Sequence, residues 1–371
     1  MESMLLLQNH PMLITLVVRT IFLFLLLSLV GLGILILIKV AMHLYFSSIE
    51  KRKTYWSSHL INYIYYGIPF RFHELDTSDL IPLARAMGEF PIDEPLIYEK
   101  LSTLVGEVNL DILLARRYRK SRFFFRKVHY LSTLAELPAS HIPDFYRRIV
   151  ETHSNPLLIQ HAIYAYSKTV QDTPAMNRFI LFLLEYDTHA HIGRAFCRFL
   201  IYVSLSRLGT EDLERFNEWL IQNPPEERML RCIVDSYGLI KQPIIIHLLL
   251  ELHRQFENLE EVVAGILRSL VSNGAKRCSL LQKDTQRDEL PIRIACSKVG
   301  IDLCYPSSST LRHVIRYFFD HNYYVRHNIF QACKRYHISK YEILEAVQLE
   351  MPQKLNDRFF NDMMRVYNFT R

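Results

Sequence analysis

The chain has 371 residues, 50% hydrophobic and 22% charged, with 11 Gly and 15 Pro. That composition excludes a disordered or collagen-like chain, and so few glycines argue against a turn-rich all-β protein. The net charge of +6, from 44 basic and 38 acidic side chains, is too mild to establish a nucleic-acid partner. The six cysteines (197, 232, 278, 296, 304 and 333) form no CxxC pair. Five lie among apolar neighbours in helical patterns, so buried reduced thiols are expected.

Residues 1–19 form a short leading segment. From Thr20 to Ile38 there is no charged residue, and Arg19 and Lys39 bound the stretch. At about 1.5 Å per residue this covers roughly the hydrocarbon thickness of a bilayer. A cleaved signal peptide would have a shorter apolar core followed by small residues, whereas Lys39-Val-Ala-Met-His43 follows here. Residues 20–39 are therefore read as one uncleaved transmembrane helix. Upstream stands one basic residue, Arg19, accompanied by Glu2. Downstream come Lys39, Lys51, Arg52 and Lys53, which place the carboxyl part in the cytoplasm and the single pass in an inner or other cellular membrane.

Residues 40–70 are rich in aromatics: Tyr45, Phe46, Tyr55, Trp56, Tyr63, Tyr65 and Tyr66. Interleaved with basic residues, they read as a helix leaving along the lipid interface, with Lys51, Arg52, Lys53, Tyr55 and Trp56 as contacts. The same aromatics would equally serve to cover the first helices of a soluble domain. Residues 71–127 carry helical periodicity over 80–90 and 95–108 and read as an amino-terminal cap.

The strongest charge cluster closes that cap: Arg116, Arg117, Arg119, Lys120, Arg122, Arg126 and Lys127, with no acid among them and Phe123-Phe-Phe125 inside. Such a cluster can neutralise anionic lipid head groups or an acidic protein, or hold the phosphates of a nucleic acid or nucleotide. A solvated helix junction with a buried Phe anchor is the plainer reading.

Residues 128–338 contain an internal repeat. Six segments share an apolar residue, two others, a compact residue and a further apolar one. The compact positions are Ala162, Ala195, Cys232, Gly265, Ala295 and Asn328, spaced by 33, 37, 33, 30 and 33 residues. A weaker copy stands at Val128–Leu131. Between them run amphipathic stretches at 142–153, 176–186, 211–222, 244–256 and 310–321. Two helices per unit in tandem predict an all-α protein built as an α-solenoid, with each compact residue buried where neighbouring helices meet. Residues 339–371 supply the carboxyl cap, divided by Pro352, with a last helix over 356–369.

Glu289-Leu-Pro-Ile-Arg-Ile-Ala-Cys296 and Asn322-Tyr-Tyr-Val-Arg-His-Asn-Ile329 resemble HEAT repeats. The resemblance covers roughly residues 125–340 and implies an armadillo-type helical stack. It also implies that the Arg before the compact residue bridges adjacent repeats; Asn328 and Cys232 stand where HEAT repeats usually have Ala.

Chemistry is sparse. Asp187, His189 and His191 alternate at a predicted turn without a completing ligand. His247 and Glu251 lie one turn apart without an HExxH motif. No Gly-rich phosphate loop or GxSxG motif occurs. No catalytic residue, metal or cofactor is expected. The sequence points to a membrane-anchored cytoplasmic scaffold or adaptor in an envelope-building or signalling complex, binding a protein partner and membrane lipid, with nucleic acid disfavoured. A tethered HEAT-like enzyme or nucleic-acid-binding solenoid is the alternative.

Overall fold

The computed structural model describes residues 11–70, 75–91, 94–190, 193–304 and 308–366. Within them the protein is all-α, with 19 α-helices, two short 3-10 helices and no strand. The chain divides into two compact units, Met1–Ile142 and Pro143–Arg371.

The first unit begins with α1, a continuous 56-residue helix from Pro11 to Tyr66. Apolar side chains from Val18 to Phe46 cover all sides of this stretch and are exposed. Burial starts only at Ile49 and continues through Trp56, Leu60 and Ile64. Those spacings of seven, four and four residues form one helical stripe. The helix is thus bare where it is apolar all round and packed where it is amphipathic, and it is long and apolar enough to cross a membrane.

The stripe receives α2 (Leu80–Met87), in which every residue but Arg85 is buried, and part of α3 (Pro95–Val108). Asn109, at φ 54°, turns the chain directly from α3 into α4 (Leu110–Lys120). Asn tolerates this left-handed conformation better than most residues. The first unit closes with α5 (Phe124–Glu136), which packs on α2 and α4. Val128–Leu131 lies in α5 and so belongs to this unit.

The second unit contains α6 (Pro143–Thr152), α7 (Pro156–Ser167), α8 (Thr173–Ala190), α9 (Arg194–Leu205), α10 (Thr210–Gln222), α11 (Glu227–Tyr237) and α12 (Ile244–Gln255). It continues with α13 (Glu260–Ser272), α14 (Cys278–Asp284), α15 (Leu290–Leu303), α16 (Ser308–Val314), α17 (Tyr323–Arg335), α18 (Lys340–Glu350) and α19 (Arg358–Val366). The amphipathic stretch at 310–321 is split between α16 and a 3-10 turn over Ile315–Phe319. Odd-numbered helices pack in an unbroken series, α7 on α9, then α11, α13, α15 and α17. The even-numbered series runs from α8 to α10 to α12, and again from α16 to α18.

Four of the six compact positions are buried: Ala162, Cys232, Gly265 and Ala295. Asn328 is half-buried. Ala195 is exposed, contrary to the repeat register, because it stands in the first turn of α9. The buried face of that helix is Cys197, Leu200, Ile201, Ser204 and Leu205. Cys197, Cys232, Cys296 and Cys333 are buried and outside any disulfide, as expected. Cys278 and Cys304 depart from that expectation and are joined in a disulfide.

Candidate functional site

In the second unit most conspicuous polar groups bind helix to helix. Ser204 Oγ donates to Ser167 O (3.1 Å), Ser236 Oγ to Arg198 O (2.9 Å) and Ser269 Oγ to Val234 O (2.8 Å). Each links an odd-numbered helix to the one before it in the series. These serines follow Leu200, Cys232 and Gly265 by four residues, so Leu200, not Ala195, occupies the repeat position in α9. The α8 helix, running to Ala190, displaces that register. It also carries the backbone of Asp187 and His189 inside a helix instead of the expected turn, while His191 lies outside the described residues.

Charged groups repeat the pattern. Asp235 on α11 accepts from Arg194 on α9 at 3.2 Å and from Arg231 on its own helix at 3.0 Å. Arg231 reaches on to Glu261 of α13 at 3.3 Å. Arg293 of α15 meets Asp320, just ahead of α17, at 3.4 Å. Arg231 is only 3% exposed, and its side chain crosses Gly265: an added Cβ there would stand 2.7 Å from Arg231 Nε. The missing side chain at 265 makes room for a buried guanidinium.

One buried cluster has catalytic residue types. His253 Nε2 lies 2.8 Å from Asp284 Oδ2, both almost fully buried, and Cys296 and Tyr317 are nearby. Burial, followed by the charge of Asp284, pushes the Cys296 thiol up to about 12. A sealed thiol held in its protonated form makes a poor nucleophile. The cluster is sealed among apolar neighbours within the second unit. Among the described residues, no group of three or more His, Cys, Asp or Glu could hold a metal ion.

The candidate surface lies in the first unit. The buried face of α4 is Leu110, Asp111, Leu114, Ala115 and Tyr118, which turns Arg116, Arg117, Arg119 and Lys120 outward. Arg122 and Arg126 are also exposed, and Lys127 is half-buried beneath its cation–π contact with the Tyr118 ring at 5.4 Å. Arg116, Arg117 and Lys120 line an open cleft of ≈ 280 Å³ with Leu75, Leu80, Leu113, Thr77 and one carboxylate, Asp76. Hydrogen bonds from the Thr77 backbone and from Ser78 hold the Asp76 carboxyl below the usual range.

Phe123, Phe124 and Phe125 are 68%, 40% and 84% exposed. The buried Phe anchor of the plainer reading is therefore absent. The phenylalanines form a tip between α4 and α5, with Arg126 over the Phe123 ring at 5.4 Å.

The juxtamembrane residues are less uniform than expected. Trp56, assigned to the lipid interface, is 1% exposed and stacks on Phe70 at 5.5 Å. It belongs to the core because it falls on the buried stripe of α1. Arg52 pairs with Asp79 at 2.9 Å and also contacts Ser78. Lys53 meets Glu50 at 2.6 Å and Glu89 at 2.5 Å. Both cations therefore fasten α1 to the segment around α2. Lys51 and Tyr55 remain exposed.

No protein-family model, curated protein or solved structure matches this chain.

Proposed function

We propose that the protein is a single-pass membrane scaffold whose second unit is a HEAT-like α-solenoid that binds a protein partner, within a membrane-associated envelope-building or signalling complex. The observation that carries this reading is the unbroken packing of each odd-numbered helix on the next, from α7 to α17. Helix pairs stacked in this way bury their apolar faces against neighbours and leave side chains along the series for recognition. The serine links and the Arg194–Asp235–Arg231–Glu261 chain support it, since they recur between neighbours. Exposed apolar side chains suited to a protein surface lie on several helices, among them Leu181 on α8, Phe199 on α9, Tyr324 on α17 and Tyr341 on α18.

The α1 helix anchors the scaffold, with the basic flank after Lys39 on the cytoplasmic side. The Cys278–Cys304 pair stands in that compartment as a bond subject to reduction, because cytosolic disulfides are kept open by the thiol pool.

The test uses full-length protein in its own membrane, with a photo-crosslinking residue at Phe199, Tyr324 or Leu181. A discrete adduct with the same protein from at least one of these positions, retained after detergent extraction, is expected. Absence of a discrete protein adduct from all three positions would sink the scaffold reading.

A further inference from the structure

The Phe123–Phe125 tip can be placed along α1 from contacts inside the first unit. The His129 ring on α5 lies 6.1 Å from Tyr45 and 6.4 Å from Phe46. Farther along α5, an added Cβ on Gly88 would stand 3.3 Å from Glu136 O, and the adjoining Glu89 pairs with Lys53 at 2.5 Å. Going from His129 to Glu136 therefore follows α1 from Tyr45 toward Lys53, and α5 runs in the same direction as α1. Phe125 precedes His129 by four residues, about 6 Å of helix. That sets it on the Lys39 side of Tyr45, toward the end of the uncharged stretch. Tyr45 and Phe46, 48% and 42% exposed, lie close to the same level.

Three exposed phenylalanines near the end of an apolar span, with Arg122 and Arg126 beside them and exposed Arg116 and Arg117 on the preceding helix, combine the two features of a peripheral membrane contact. Aromatic rings partition into the head-group region, and cations above them attract anionic lipid. We infer that the Phe123–Phe125 tip and its arginine rim are a second membrane contact, which docks the first unit on an anionic bilayer surface beside α1. The inference rests on the reading of α1 as a membrane span. It differs from the assignment of Trp56, Arg52 and Lys53 to the interface, because those side chains are engaged within the protein.

Full-length protein is reconstituted in vesicles carrying bromine on the acyl chains, either zwitterionic or containing anionic lipid, and tryptophan emission is read. Phe125→Trp reports the tip, Leu29→Trp reports the middle of the span, and the parent signal from Trp56 and Trp219 is subtracted. Quenching of the added emission is expected for both variants in anionic vesicles. For Phe125→Trp alone, quenching should fall by about half or more in zwitterionic lipid or at 1 M salt, where screening shortens the reach of charge. Adding Arg116→Ser, Arg117→Ser, Arg122→Ser and Arg126→Ser should reduce tip quenching in anionic vesicles to the zwitterionic level, with helical circular dichroism unchanged. If Leu29→Trp is not quenched, the span reading fails and the docking inference with it. If Leu29→Trp is quenched while Phe125→Trp is not, the span stands and the docking inference is overturned. Equal tip quenching in both lipids overturns the role given to the arginine rim.

Discussion

Gly265 is compact because Arg231 occupies the space a side chain would fill, and this pair shows how far a pattern of small residues can be read. The spacing of Ala162, Cys232, Gly265 and Ala295 marked buried contacts correctly, since small side chains at a fixed interval leave a visible trace. It could not show that one of them accommodates a buried cation. Nor could it locate the slip at Ala195, which comes from the extra length of α8. Changing Gly265 to Ala should destabilise the protein by about 1–3 kcal/mol through overpacking against a guanidinium already fixed by Asp235. Asp235→Asn should cost a similar amount, about 1–3 kcal/mol, because a buried donor of Arg231 loses its charged partner and only the half-exposed Glu261 remains. Urea unfolding of the detergent-solubilised chain measures both. The same assay separates two alanines of the repeat pattern. Ala195→Glu should fall within about 0.5 kcal/mol of the parent, whereas Ala295→Leu should lose about 1–3 kcal/mol. Equal losses at both sites would restore the register read from sequence alone.

Most helices were legible because their apolar positions recur at three and four residues, as in α2, α3, α10 and α13. The joints were less so. The sequence from Thr310 to Phe319 has helical periodicity throughout, yet it tightens into a 3-10 turn at Ile315. The start of α18 is set by Ser339-Lys-Tyr-Glu342. Glu342 N donates to Ser339 Oγ at 3.2 Å, and Ser339 N donates to Glu342 Oε2 at 2.7 Å, forming a capping box. Hydrogen bonds from the Ser339 side chain, then from its backbone, hold the Glu342 carboxyl below the usual range. A folded-state pKa below the unfolded value gives stability that is present above the unfolded pKa and lost as pH falls through the folded one. Ser339→Ala should therefore cost about 0.5–2 kcal/mol at pH 7. The gap from the parent should narrow as the solution is acidified below about pH 4, the ordinary carboxyl range. A gap that stays constant down to pH 3 would remove Glu342 from the account.

The division of the chain at Ile142 was not visible beforehand. The expected boundary after residue 127 cuts through α5, whose periodicity resembles that of the helices beyond it. What assigns α5 to the first unit is its tertiary contact with α2 and α4, which no local pattern reports. The apolar span was plain from composition. The fate of its aromatic flank was not, because Trp56 lies on the buried stripe while its sequence neighbour Tyr55 lies off it, exposed. Full-length protein should remain with membranes after carbonate extraction. A reporter fused after Arg371 should be active in the cytoplasm, and activity on the far side would reverse the topology. That outcome would also make the Cys278–Cys304 disulfide a permanent cross-link.

The 56 residues of α1 carry no proline after Pro11 and no break before Tyr66, so the helix is a rod of about 84 Å. A rod without a hinge cannot tilt at one end alone. Bilayers of different thickness change the inclination of a spanning helix, and on the proposed span each degree of inclination would swing the packed stripe from Ile49 to Ile64 through the same angle. The proposed Phe123–Phe125 contact would sit near the fulcrum of that lever, opposing the swing on one side and permitting it on the other. On the proposed span, membrane thickness and the bearing of the first unit would be mechanically geared to each other.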